Sequence, residues 1–224
     1  MTVLPLADEG EAADLVAFLA RLLHYDRGAA VRLQAAGTAL AVFGRPPSFE
    51  VLAIRAVRLE KPYENGLDVT LDVTVSAGEL LESIDETAAT AVVPGAVTGP
   101  PWAGLLPPRG GWRAQPGLPA PDTLRTMVAA AVAEFRSRTQ ELAPEARTRA
   151  ELDRIGREIW SRTVADTGLP VRAVHAAQSL GFLRPGGEGG LGLYSSGTWL
   201  RLRTPYGSVA VRTAGLATLG VSVR

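Results

Sequence analysis

The chain has 224 residues with 23 basic and 23 acidic side chains, so its formal net charge at pH 7 is zero. It contains no cysteine and only two histidines, which excludes disulfide bonds, thiolate zinc sites and multi-histidine metal sites. Residues 1–144 carry 17 acidic and 12 basic side chains, whereas residues 145–224 carry 6 and 11. We therefore expect any charge-driven binding on the second half.

The first predicted element is a helix from about residue 9 to 24. Asp8 and Glu11 have the spacing of a capping box, and the apolar residues that follow fall on one helical face. The stretch before this helix lacks the basic and apolar regions of a signal peptide. From this we expect a cytoplasmic location.

Alternating apolar residues then predict a meander of strands. The clearest alternation ends at Val75, and a second capping box, Ser76 with Glu79, opens a short helix after it. The four strands are predicted at about residues 29–35, 38–44, 49–59 and 67–75.

A proline-rich connector follows at residues 94–121, which hold eight of the sixteen prolines. We expect Trp102 and Trp112 to pack back onto the core, because large aromatic rings are costly to leave in water. Arg109 and Arg113 beside them form, with the two tryptophans, a candidate linker site for an anion or a peptide.

The uncharged stretch at residues 87–108 has the length of a membrane span. Five prolines interrupt it, and proline breaks the helix that a bilayer requires. We therefore expect no membrane segment and a soluble protein.

The second half predicts three helices and a second meander. The helices lie at about residues 122–141, from Pro144 to an end at Gly168, and at 170–182. The strands are predicted at about residues 191–195, 198–204, 207–213 and 217–223.

The two meanders share a faint pattern, which suggests an internal duplication. After a contraction of three residues in the second copy, Ala53 and Arg55 correspond to Ala210 and Arg212. The earlier correspondences, 160 positions apart, are Leu33, Gly37, Thr38 and Leu40 with Leu193, Gly197, Thr198 and Leu200.

These patterns predict an α+β fold with two antiparallel meander units, two long helices and the proline-rich connector between them. The predicted domain organisation is a helix and meander at 1–93, a connector packing on the core at 94–121, and helices with the second meander at 122–224. The two sheet units then form either one body or two abutting lobes.

Motifs for catalysis are missing from the sequence. The glycine-rich run at residues 185–190 follows a predicted helix and opens a strand, which is the wrong context for a phosphate-binding loop. No Ser-His-Asp arrangement or paired carboxylates in an apolar frame occur. We therefore assign no catalytic residue, no metal ligand and no cofactor, and an enzyme acting on an anionic small molecule remains an alternative.

The candidate binding patch consists of Trp199, Arg201, Arg203 and Arg212, which the strand alternation places on one sheet face. Such a face suits phosphate contact, and the preceding helix 170–182 makes a winged-helix DNA-binding protein a second alternative. In that alternative, the outward face of the helix carries Arg172, His175, Gln178 and Ser179.

The favoured function is a non-catalytic binding or protein-interaction module. We expect a protein partner or self-association more than nucleic acid, because the total charge is neutral and the helix is rich in alanine. In this interpretation the arginines of the patch meet acidic side chains of the first half or of a second subunit.

Several segments resemble uncharacterised proteins of high-GC actinobacteria along most of the chain. They are AAVRLQAAG, LPPRGGW, AEFR, LGFL and WLRLRTPYGSVAVR. The resemblance implies no known activity and no role for any residue.

Overall fold

The chain forms both helices and antiparallel strands in a computed structural model that describes residues 2–60, 71–185 and 190–213. The predicted α+β class is confirmed. The α-helices are α1 (Glu9–Tyr25), α2 (Ala77–Glu82), α3 (Pro121–Glu141), α4 (Arg149–Trp160) and α5 (Val171–Ser179). The strands are β1 (Val3–Pro5), β2 (Ala30–Ala36), β3 (Ala39–Gly44), β4 (Leu52–Arg58), β5 (Asp72–Ser76), β6 (Ile84–Asp85), β7 (Thr90–Val92), β8 (Arg113–Gln115), β9 (Gly192–Ser196), β10 (Trp199–Thr204) and β11 (Gly207–Arg212).

Eight strands form one main sheet that runs through both halves of the chain. Their order is β5-β2-β3-β4-β11-β10-β9-β8, and every neighbouring pair is antiparallel. The two meanders join where β4 pairs with β11, with Ala53 opposite Val209. A small second sheet has the order β1-β7-β6. The predicted strand at 217–223 and the start of the one at 67–75 lie outside the described residues.

The first hairpin turn is built in the same way in both meanders. Ala36 pairs with Ala39 around a two-residue turn that begins with Gly37, and Ser196 pairs with Trp199 around one that begins with Gly197. The two glycines have φ angles of 58° and 55°, which a hairpin turn with a left-handed first residue requires.

The third strands correspond differently from the prediction. Leu40 lies opposite Val57 in the first meander, and its counterpart Leu200 lies opposite Val211 in the second. Arg58, and not Arg55, therefore occupies the position in the first meander that Arg212 occupies in the second. The predicted match of Arg55 with Arg212 is wrong. Eight residues separate the paired Gly44 and Ala53, whereas two separate the paired Thr204 and Gly207, so the second copy is shorter by six residues and not by three.

One face of the main sheet packs on the helices, and we call it the helical face. Apolar residues of α1 such as Leu15 and Leu22 lie fully buried against it. The predicted capping box begins this helix, since the Asp8 carboxylate accepts a hydrogen bond from the Glu11 N–H at 2.8 Å. α5 packs between β11 and α3. The resulting core extends over both meanders.

A buried ion cluster ties α1 to the helical face. Arg55 on β4 is only 5% exposed, and its guanidinium donates to a Glu11 carboxylate oxygen at 2.9 Å and to the Tyr206 carbonyl at 2.8 Å. Asp14 lies 3.2 Å from the same guanidinium. Arg58 also binds Glu11, at 2.8 Å, but its side chain is 71% exposed. Arg55 therefore carries the buried part of this cluster.

The predicted helix beginning at Pro144 starts later. Pro144 opens a short 3₁₀ turn, and α4 begins at Arg149 after Thr148, whose hydroxyl accepts a hydrogen bond from the Glu151 N–H. The capping threonine decides the start, because its side chain satisfies a free N–H of the first turn. Within the described ranges, no helix is both long and apolar enough to cross a bilayer.

Candidate functional site

The face of the main sheet opposite the helices carries the arginines of the predicted patch, and we call it the open face. On β10, Leu200 and Leu202 pack into the core, so Trp199, Arg201 and Arg203 project from the other side. Arg212 on β11 alternates in the same way with the buried Val209 and Val211.

The connector crosses this face as a strap, which we define as residues 96–112. At one edge, the Val97 N–H donates to the Thr74 carbonyl of β5 at 2.9 Å. Further along, Arg32 on β2 donates to the Ala103 carbonyl at 2.7 Å. At the far side, the Ser196 hydroxyl donates to the Gly110 carbonyl at 3.3 Å, and the chain then enters β8 beside β9.

Both tryptophans of the strap are partly buried. Trp102 and Trp199 pack against a small apolar cluster on the open face, formed by Phe43, Leu52, Ile54 and Ala210. The Trp112 indole N–H donates to the Pro108 carbonyl at 3.0 Å, which fixes its ring near the end of the strap. The strap therefore brings residues of the candidate linker site onto the same face as the candidate patch.

Arg201, Arg203 and Trp112 meet in a cavity of about 290 Å³, which we call the arginine cavity. The strand register explains the meeting, because Arg201 lies opposite Tyr194 on β9 and Arg203 lies opposite Ser208 on β11. The remaining lining residues are Ala56, Thr204, Pro205 and Gly207.

The Arg201 guanidinium is half-buried, and no carboxylate of the described residues compensates its charge. Among the described residues it forms no ion pair, and its Nε atom is buried without a hydrogen-bond partner. Burial, and secondarily the charge of Arg203, lower the pKa of Arg201 below its usual value, but an arginine remains protonated at neutral pH. The guanidinium carbon lies 5.7 Å from the centroid of the Trp112 ring.

The predicted pairing of the patch arginines with acidic residues of the first half is wrong for the described part of the chain. No carboxylate in these ranges lies within salt-bridge distance of Arg201, Arg203 or Arg212. Several acidic residues of the first half pair with other arginines, for example Glu11 with Arg55 and Asp72 with Arg32.

Trp199 and Arg212 line a different cavity, which we call the tryptophan cleft. It measures about 310 Å³ and includes Trp102 from the strap and Glu50 from the loop before β4. The Arg212 guanidinium carbon lies 6.0 Å from the centre of the Trp199 ring. The predicted patch is therefore one face but two separate cavities, with two of its four residues in each.

Arg109 and Arg113 line neither cavity. Arg109 lies toward Asp72 on β5, where its charge adds to that of Arg32. The hydrogen bond from Arg32 is the main cause that lowers the pKa of Asp72, and Arg109 makes a smaller contribution. The candidate linker site therefore does not form as one group of four side chains.

Tyr194 and Ser208 are lining residues that the sequence analysis missed. The alternation of β9 around the inward Leu193 already implied that Tyr194 faces outward. The alternation does not show that β9 pairs with both β8 and β10. This pairing places the Tyr194 ring beside Trp112 and Arg201.

The winged-helix arrangement is not formed by the described residues. α5 is enclosed: the His175 ring stacks on Trp160 at 4.5 Å and meets Phe49 at 5.1 Å, and only Gln178 of its four proposed contact residues is exposed. The proposed wing, β10 with β11, lies inside the main sheet between β4 and β9. The order of the elements along the sequence matches the winged-helix motif. That order does not show which strands pair with the hairpin on either side.

The enclosed His175 predicts a pH-dependent stability. Burial lowers the pKa of His175, so the imidazole binds a proton less readily in the folded chain than in the unfolded chain. In the unfolded chain a histidine titrates at about pH 6.5. Stability is therefore full above that pH and falls as the pH decreases below it. We expect thermal unfolding to occur at a lower temperature at about pH 5.5 than at pH 7.5.

His175→Phe keeps a ring on Trp160 and should reduce this difference, whereas His24→Gln at an exposed position should retain it. Equal pH dependence of the His175→Phe variant and the parent protein would show that another group is responsible.

Within the described ranges, no group of three or more histidine, aspartate or glutamate side chains is arranged so that it could hold a metal ion. The arginine cavity on the open face is lined instead by guanidinium groups, aromatic rings and hydroxyls.

Comparison with known families gives a match in each half of the chain. Residues 1–104 match the model of a domain of unknown function, DUF8010, and residues 107–216 match that of a second domain of unknown function, DUF8185. No curated protein matches the chain. Both halves are therefore similar to domains of unknown function, which confirms the predicted resemblance to an uncharacterised family.

Proposed function

We propose that this protein is a non-catalytic binding module that takes an anionic partner on the open face, at Arg201 and Arg203. The supporting observation is the Arg201 guanidinium, which is half-buried in the arginine cavity without a carboxylate partner among the described residues. A desolvated charge is costly unless an opposite charge compensates it. An anion in the cavity supplies that compensation.

The lining of the cavity favours binding over catalysis. Its polar groups are two guanidiniums and the hydroxyls of Tyr194, Thr204 and Ser208. Neither a carboxylate nor an imidazole is among the described lining residues, so a general base for an enzymatic step has no place there. Guanidinium forks bind phosphate and carboxylate groups with two parallel hydrogen bonds, which suits recognition of an anion.

The test is a calorimetric titration with inorganic tripolyphosphate as the probe, at low and at physiological salt. We expect the parent protein to bind, and the Arg201→Ala, Arg203→Ala double variant to bind at least about tenfold more weakly, because each charge-assisted hydrogen bond contributes roughly 1.5–3 kcal/mol. Arg113→Ala on the neighbouring β8 removes an exposed positive charge outside the cavity and should change the affinity little. Equal binding by the parent and the double variant would contradict the proposal.

Three further properties belong to the same proposal. The common turn geometry at Gly37 and Gly197 supports an internal duplication of the meander. The sequence patterns support a cytoplasmic location and an actinobacterial origin. A measured location outside the cytoplasm would contradict the proposed cytoplasmic location without affecting the proposed binding site.

A further inference from the structure

The arginine cavity places aromatic rings next to its guanidiniums at one level of the sheet. Tyr194 and Arg201 are directly opposite on β9 and β10, and Ala114 of β8 is opposite Tyr194 on the other side. Trp112 precedes Ala114 by two residues and therefore projects from the same face, diagonal to Tyr194. Three neighbouring segments thus line one side of the cavity: Trp112 before β8, Tyr194 on β9 and Arg201 on β10.

Both rings have contacts within the chain that influence their positions. Tyr194 lies over Gly192, and a Cβ atom at Gly192 would come within 2.8 Å of the ring. The missing side chain of Gly192 is therefore what lets the ring occupy this position. Trp112 is fixed by the hydrogen bond from its indole N–H to the Pro108 carbonyl. A ring that is already positioned binds a planar group with less loss of side-chain entropy.

The two guanidiniums differ in their surroundings. Arg201 is half-buried, whereas Arg203 is exposed at the mouth of the cavity. The cavity volume of about 290 Å³ lies near the lower end of the range for small-molecule sites. A cavity of this size cannot hold a nucleic-acid duplex. One compact molecule satisfies these conditions if its anionic group meets the arginines and a flat ring meets the aromatic side chains.

We infer that the ligand of the arginine cavity is one small molecule in which a planar ring carries a phosphate or carboxylate group. The anionic group binds between Arg201 and Arg203, and the ring lies against Trp112 and Tyr194. This inference rests on the proposed function, because it specifies the anion that the same two arginines bind. Every nucleic-acid base can stack on tryptophan or tyrosine, because each has a flat aromatic face. The size of the cavity, and not hydrogen bonding, therefore limits which ring it accepts.

The experiment compares five probes with the full-length protein by calorimetric titration: adenosine monophosphate, 1-naphthoate, adenosine, inorganic phosphate and tripolyphosphate. We expect at least one of the two ring-bearing anions to bind about tenfold more tightly than inorganic phosphate, which is the size of one base–aromatic stack, and adenosine to bind more weakly than the tighter of them. Tighter binding of adenosine monophosphate identifies a phosphate ligand, and tighter binding of 1-naphthoate identifies a carboxylate.

A glycine pair provides the matched variants. Gly192→Ala should displace the Tyr194 ring and reduce the affinity for the ring-bearing anion about fivefold or more, with tripolyphosphate binding retained. Gly190→Ala, two residues earlier, meets no atom of the described residues within 4 Å and should change neither affinity. Thermal unfolding of both variants verifies that they are folded.

The outcomes separate the two claims. Binding of tripolyphosphate with no preference for either ring-bearing anion over inorganic phosphate would overturn the inference and leave the proposed function standing. So would an unchanged affinity for the ring-bearing anion in a folded Gly192→Ala variant. Failure of every anionic probe to bind would overturn the inference and the proposed function together.

Discussion

Replacing Arg55 with alanine is expected to lower the free energy of unfolding by about 3 kcal/mol, because the change leaves a buried carboxylate without its main partner. The Arg55 and Glu11 side chains are 7% and 11% exposed, and the two groups are 2.9 Å apart. Arg55→Ala also removes the donor of the Tyr206 carbonyl. Arg58 continues to bind the other oxygen of Glu11, so the loss lies at the lower end of the range for a broken buried pair.

Arg58→Ala provides the matched control. It removes a guanidinium that binds the same glutamate from the same strand, but from a side chain that is 71% exposed. Exposed ion pairs contribute little to stability, so the change in unfolding free energy should be much smaller. Urea unfolding of both variants measures the difference. Equal losses for Arg55→Ala and Arg58→Ala would show that burial of the pair is not what matters.

Phe18→Ala is expected to destabilise the protein by about 3–5 kcal/mol, the usual effect of removing a buried aromatic ring. Phe18 on α1 is 1% exposed and stacks on Phe182, which follows α5, with ring centroids 5.7 Å apart. This contact joins the first half of the chain to the second. Phe182 in turn lies against Gly207, where a Cβ atom would approach its ring to 2.6 Å.

Because the stack and the β4–β11 pairing both connect the halves, unfolding should remain a single transition in the parent and in Phe18→Ala. Tyr25→Ala on the same helix is the control, since Tyr25 is 38% exposed and the loss of its side chain should cost far less. Calorimetry measures both quantities. Two separate transitions in the parent protein would mean that the halves unfold independently, despite the continuous sheet.

Local patterns in the sequence predicted the elements well where a side chain acts on its own neighbours. The cap of α1 at Asp8 and the turn glycines Gly37 and Gly197 are of this kind, because each depends on residues within a few positions. The strand alternation likewise predicted that Arg201 and Arg203 share one face.

Features that depend on distant pairing were not predictable in the same way. The crossing of the strap over the open face depends on contacts such as Arg32 with Ala103, which are 71 positions apart. The meeting of Trp112 with Arg201 requires β8 to join the edge of the sheet beside β9. The length of the loop before β4 decides which arginine corresponds to Arg212, and the alternation of the strands fits more than one length.

The most direct test of the proposed binding site is nuclear magnetic resonance of the Arg201 side chain. In protein labelled with nitrogen-15 arginine, the Arg201 Nε–H signal is assigned by its loss in Arg201→Lys. This atom has no hydrogen-bond partner in the described structure, so its signal should respond to an anion that compensates the guanidinium. We predict that it shifts on titration with tripolyphosphate, with the same apparent Kd as calorimetry, while the Arg149 signal on the distant α4 stays unchanged. An Arg201 signal that does not move while the probe binds would place the anion elsewhere and contradict the account.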